Sequence, residues 1–154
     1  RAMPNTSARF NLGITAIYNS SFSKNNLAKV SKLFKKIGIV MNLDNEAKID
    51  TFTGMIGSGP AYFFYLLKSY EKKLMSLCNQ DKIKVNAAMV NLIKGVGFSI
   101  ENNDNLDELI DAVASKKGTT EAGLKSFKSK KLDKIFEKGI SAAIKRSKEI
   151  SNEF

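Results

Sequence analysis

Apolar residues in the first forty positions gather in short β-branched runs, whereas after Asp44 they recur every three or four residues. GITAIYNS at Gly13 to Ser20 and GIVMNL at Gly38 to Leu43 both have the length and make-up of strands. Between them Ser23 offers a cap to a helix whose Leu27, Val30, Phe34 and Ile37 share one side, and Gly38 ends it. Strand, helix and strand imply a sheet. Two strands and one helix do not make a stable sheet alone, so this piece is expected to pack on something else or to belong to a larger domain.

From Asp44 onward the spacing predicts helices. Glu46 to Gly54 forms one, and Pro60 suits the first position of a longer one reaching about Leu77, with GSGP separating or kinking the two. A third runs from about Lys82 to Asn102 with Val85, Met89, Leu92, Val96 and Ile100 inside. Gly95 and Gly97 weaken that helix and suggest close approach by another. Asn105 caps a fourth, which carries Asp107 and Glu108 in its positive first turn and Leu106, Leu109, Ile110 and Val113 on its buried side. Thr120 to Lys130 and Lys131 to about Ile150 make the last two; in the latter Leu132, Phe136, Ile140 and Ala143 form an apolar stripe opposite lysines.

The connection Ser115-Lys116-Lys117-Gly118-Thr119-Thr120 has two readings. Thr119 or Thr120 caps the next helix, with Glu121 in its first turn, or the free N–H groups there hold a carboxylate or phosphate.

Composition narrows the chemistry. With 154 residues, 43% of them hydrophobic, and two prolines, the chain buries a core as one domain, or one plus a fragment of another. No apolar stretch approaches the roughly 20 residues of a bilayer span, and RAMPNTSARF lacks the apolar core of a signal peptide, so a soluble cytoplasmic protein is expected. Histidine is absent and Cys78 is the one cysteine, which excludes intrachain disulfides, Cys/His zinc sites and Ser-His-Asp or Cys-His nucleophiles. Cys78, beside Leu77, reads as a core filler. The net charge of +10 raises the question of nucleic acid. Arginine, the residue suited to bidentate phosphate and guanine contacts, occurs only at positions 1, 9 and 146, and lysines alternate with apolar residues at helical spacing. The excess reads as solvated helix faces, with no nucleic-acid, membrane or metal partner expected.

Three segments, in order, resemble the pyrroline-5-carboxylate reductases. RAMPNT at Arg1 to Thr6 is similar to that family's R-x-M-P-N-T, DTFTGMIGSGPAY at Asp50 to Tyr62 to its D-x-x-T-G/A-x-x-G-S-G-P-A-Y, and SKKGTTEAGL to its S-P-G-G-T-T. The resemblance implies a mainly α fold: a C-terminal helical dimerisation domain of the 6-phosphogluconate-dehydrogenase-like type over residues 44–154. Residues 1–43 are then the strand-helix-strand remnant of a Rossmann domain. It implies hydride transfer from NADPH or NADH to the C=N bond of 1-pyrroline-5-carboxylate, the last step to proline, in a homodimer that assembles further into a decamer.

In that resemblance Thr53 is catalytic, its hydroxyl meeting the ring nitrogen. Ser115, Gly118, Thr119 and Thr120 hold the substrate carboxylate, Met3, Pro4 and Asn5 lie by the nicotinamide, and Gly57 to Pro60 shape the backbone around Thr53. No G-x-G-x-x-G occurs in these residues, so the chain by itself is expected neither to bind the cofactor normally nor to turn over. Two departures stand out: Lys116-Lys117 where the family has Pro-Gly, and Ile56 where it has a small polar residue. They leave open an alternative, a non-catalytic helical dimerisation module or decayed reductase fragment.

Overall fold

The computed structural model describes residues 1–21 and 23–153. The chain is mainly helical and divides into two units, one of Arg1–Phe63 with Phe136–Phe154, the other of Phe64–Ile135.

The first unit holds a three-stranded sheet in the order β1 (Ala2–Pro4), β2 (Gly13–Tyr18), β3 (Gly38–Leu43). β1 runs antiparallel to β2 with Met3 opposite Ala16, and β2 parallel to β3 with Gly13 opposite Gly38. Parallel neighbours need a crossover, which α1 (Lys24–Phe34) supplies. Ser23 caps it as expected, its Oγ accepting from the Asn26 N–H at 3.3 Å. A 3-10 turn over Lys35–Ile37 then delivers the chain to Gly38 at φ +144°, where a Cβ would stand 1.9 Å from the Gly13 carbonyl oxygen. Only glycine starts this parallel pair. The expected strands are present; β1 was not foreseen.

Along β2, Ile14, Ala16 and Tyr18 share the face that packs, with Met3 and Leu43, on Ile49 and Phe52 of α2 (Lys48–Phe52). Thr15 and Ile17 alternate to the opposite face, both buried, and the Thr15 hydroxyl has no hydrogen-bond partner among the described residues. α2 is not a helix interrupted by a loop. It passes into a π turn over Thr53–Gly57, which leads directly into α3 (Gly59–Leu77), so Pro60 is the second helical residue and not the first. The last helix, α7 (Leu132–Ser151), carries the expected stripe, with Phe136, Ile140 and Ala143 half-buried. Tyr62 and Phe63 both meet the ring of Phe136, at centroid distances of 6.0 and 6.4 Å.

The second unit is helical throughout. α4 (Lys82–Asn102) and α5 (Leu106–Val113) begin at Asp81 and Asn105, each of whose side-chain oxygens accepts from two first-turn N–H groups; α6 (Thr119–Ser129) follows. The expected interior of α4 is corrected: Val85 is buried and Met89 half-buried, but Leu92, Val96 and Ile100 are exposed. The same holds on α5, where Leu106, Ile110 and Val113 are exposed and only Leu109 is half-buried. Periodicity reports that a face is apolar, not what covers it. A Cβ added at Gly95 or Gly97 would meet nothing within 4 Å, so no other helix among the described residues packs against them. Cys78 is half-buried at the end of α3, not a core residue.

α4 is also long and apolar enough, by length and composition, to cross a membrane, which corrects the expectation that no such segment exists. An uninterrupted apolar run such as Ala61 to Leu67 is only seven residues long. Around α4 the apolar residues are spread over most of the circumference and interrupted by single charges such as Lys94, so no uninterrupted run announces it.

Candidate functional site

Thr53 opens the π turn. The widened ring is closed by the Ser58 N–H donating to the Thr53 carbonyl at 3.0 Å, and the Thr53 hydroxyl donates to the Ile49 carbonyl at 2.8 Å. That back-bond settles where the hydroxyl proton goes and leaves the oxygen's lone pairs as what Thr53 offers to a ligand. A π turn frees carbonyls that an α-helix would pair; Tyr62 satisfies one, its hydroxyl donating to Gly54 O at 2.7 Å.

Two glycines set the packing of this turn. A Cβ on Gly54 would stand 2.6 Å from both the backbone nitrogen and Cγ1 of Ile144, so α7 lies directly against the turn. A Cβ on Gly57 would lie 3.4 Å from Met3 Cε and 3.8 Å from Thr53 Cγ2, so the methyls of Met3 and Thr53 both border Gly57. Met3 and Thr53 are therefore brought to one place. Asn5 does a different job: its Oδ1 accepts from Ile14 N–H at 3.0 Å and its own N–H donates to Ile14 O at 3.2 Å, so the side chain extends the β1–β2 ladder. Pro4 is exposed on β1, one of the two edge strands of the sheet.

One residue of the same segment was missed. Asp50, three positions before Thr53, is buried, and its Oδ1 accepts from Ser147 Oγ at 3.0 Å and Ser151 Oγ at 2.6 Å. Its place in the quoted D-x-x-T segment was the available signal. By contrast Asp44, ahead of α2 and fully exposed, is held below the ordinary carboxylate range chiefly by a hydrogen bond from Lys48, the pair being 2.6 Å apart.

The remaining candidates lie in the second unit. Ser115 to Gly118 is a turn closed by the Gly118 N–H donating to Ser115 O at 2.9 Å, with Lys117 at φ +60°. Lysine thus occupies a left-handed position, in the place where the resemblance expects glycine. Gly118 is held close to Ser115: a Cβ there would be 2.3 Å from Ser115 Oγ. The capping expectation is corrected here. Gly118 is the residue before α6 and supplies no side-chain cap, while Thr119 and Thr120 are already helical. The Glu121 carboxylate instead reaches back and accepts from the Lys117 N–H. Without a capping side chain, the N–H groups of the first turn keep their capacity for an anion.

The family of pyrroline-5-carboxylate reductase dimerisation domains matches residues 46–150. The pyrroline-5-carboxylate reductase of Pseudomonas aeruginosa is 33% identical, over 99% of this chain and 56% of its own length. Among solved structures, the pyrroline-5-carboxylate reductase of Coxiella burnetii superposes with a TM-score of 0.88 at 27% identity, over 97% of this chain and 56% of that one. The Plasmodium falciparum pyrroline carboxylate reductase, solved with NADP bound, shares the fold at a TM-score of 0.84 and 24% identity, over 96% and 56%. The chain spans about half the length of the relatives it matches. It belongs to the pyrroline-5-carboxylate reductase family.

Proposed function

We propose that this chain is part of a cytoplasmic pyrroline-5-carboxylate reductase, which passes a hydride from NADPH or NADH to the C=N carbon of 1-pyrroline-5-carboxylate. The observation that carries the reading is Thr53, set in a π turn against Met3 within a chain whose residues 46–150 match that family. Residues 1–43 supply the closing strands of the cofactor domain, and 44–154 the dimerisation and substrate domain.

Because the Thr53 hydroxyl donates to Ile49 O, it acts toward the ring nitrogen as an acceptor. It holds the N–H of the protonated imine and so favours the cationic form, which is the better hydride acceptor. The residues present suit a nicotinamide ring: Met3 offers an apolar contact next to Thr53, and the outer edge of β1 carries no strand among the described residues. That cofactor supplies the hydride; the Plasmodium relative with NADP bound supports its class. Asn5 acts by fixing the end of β1 rather than by touching ligand. Ser115, Gly118, Thr119 and Thr120 hold the substrate carboxylate with a hydroxyl and first-turn N–H groups, where the helix dipole adds to the attraction. The exposed apolar faces of α4 and α5 are covered by a second copy of the chain, giving a homodimer.

The test is reduction of the imine with NADPH and NADH by the polypeptide as it occurs in the source cell, beside residues 1–154 alone. The polypeptide from the source cell is expected to turn over and to lose about a hundredfold in kcat on Thr53→Val. The 154 residues, which contain no G-x-G-x-x-G, are expected to be inactive. A second reading, a helical dimerisation module without catalysis, is favoured by the strained Lys117 in the carboxylate loop. It predicts a dimer whose melting temperature does not respond to proline.

A further inference from the structure

The reading of Thr53 leaves Asp50 without a task, although burying a carboxylate is costly unless it is well hydrogen-bonded. It is 8% exposed, and a single oxygen, Oδ1, accepts from Ser147 and Ser151, two hydroxyls four residues apart on one face of α7. Ile144, three residues before Ser147, meets the backbone of Gly54, four residues after Asp50. Asp50 and Gly54 are thus the side of this segment that faces α7, while Gly57 faces Met3 with the Thr53 methyl beside it.

A ring closed from residue i to i+5 sets its side chains at angles an α-helix does not use, so the direction of the Thr53 hydroxyl depends on what anchors the turn. Within the described residues Asp50 is the one anchor that combines side-chain hydrogen bonds to another helix with a position one turn from Thr53.

We infer that Asp50, gripped by Ser147 and Ser151, is a positioning residue that aims the Thr53 hydroxyl at the substrate nitrogen. The inference rests on the reading of Thr53 given above and adds the last two turns of α7 to the machinery. A misplacement of the hydroxyl by about 1 Å costs about a hundredfold in rate.

The experiment measures kcat and KM for the imine in the polypeptide as it occurs in the source cell. Asp50→Ala is expected to lower kcat by about ten- to a hundredfold with KM within about threefold. Asp50→Asn, which keeps an oxygen for the two serines, is expected to restore kcat to within about threefold of the parent. Ser147→Ala with Ser151→Ala removes the donors and leaves the carboxylate, so it tests the same link should Asp50→Ala fail to fold; the same fall in kcat is expected.

In a Thr53→Val background, Asp50→Ala is expected to add nothing further, because the two changes act through one group. Additive losses, or a normal kcat in the serine double variant while Thr53→Val is slow, overturn the inference and leave Thr53 in place. A normal kcat for Thr53→Val overturns the reading of Thr53 and the inference with it.

Discussion

In the first unit Ala16, Ile49 and Phe52 are 0, 3 and 5% exposed, whereas in the second Val85 is the one apolar side chain so deeply buried among the described residues. Yet the second unit is at least as rich in apolar side chains, and it shows them to solvent: Phe98 is 62% exposed and Val113 70%. A sheet with a helix laid on one face can close a small core within one chain. Amphipathic helices whose faces point outward cannot, and contiguous exposed apolar surface marks an interaction surface. The contrast separates a unit that closes a small core within its own elements from one that leaves its apolar faces exposed, the faces that a second copy covers in the proposed homodimer.

The sharpest way to break that contrast is to damage each unit in its own terms. Gly38→Ala adds a methyl where the Gly13 carbonyl already stands, at a φ that L side chains rarely adopt. A loss of about 3 kcal/mol or more is expected, read as a fall in the urea midpoint that does not depend on protein concentration. Val96→Glu on α4 puts a charge on an exposed face and should leave the isolated fold intact. The dimer is expected to weaken by about a hundredfold or more, about 3 kcal/mol, read by sedimentation over a concentration series. A dimer unaffected by Val96→Glu, or a Gly38→Ala loss that vanishes at high concentration, would show that the two units are not supported differently.

A smaller effect separates backbone from side chain within the first unit. The hydroxyl of Thr15, 1% exposed, has no partner among the described residues, so Thr15→Val keeps the shape and removes an unsatisfied oxygen. A gain of about 1 kcal/mol in unfolding free energy is expected.

What was legible in the sequence follows the same division. Caps at Ser23 and Asn105, the strands at Gly13 and Gly38 and the extent of α4 rest on local chemistry, and they are where the residues put them. β1 was hidden because three residues containing a proline carry no period. The π turn was hidden because its ring is closed by tertiary packing on Gly54 and by Tyr62, not by any local preference of TGMIG. Burial on α4 and α5 was misjudged because a helical period marks an apolar face without saying what covers it. Of the candidates, Thr53 was singled out through its family segment, whereas Asp50 was passed over because its partners are 97 and 101 residues away.

The finest test falls on the second unit, where geometry and not association should decide. Lys117 sits at φ +60° in the turn that Gly118 closes on Ser115. A side chain in the left-handed region costs about 1 kcal/mol or more, and glycine gives back part of that through its freer unfolded chain. Lys117→Gly is therefore expected to raise stability by about 0.5 kcal/mol, equally in the parent and in Val96→Glu, because the strain is local to the turn and lies outside the helix face that associates. If the carboxylate reading of the loop holds, the same change also lowers KM for the imine, since the loop no longer has to be held in a strained form for its N–H groups to meet the anion. A gain seen only in the dimer would place Lys117 in the association surface and move this turn from the class of geometry to the class of assembly.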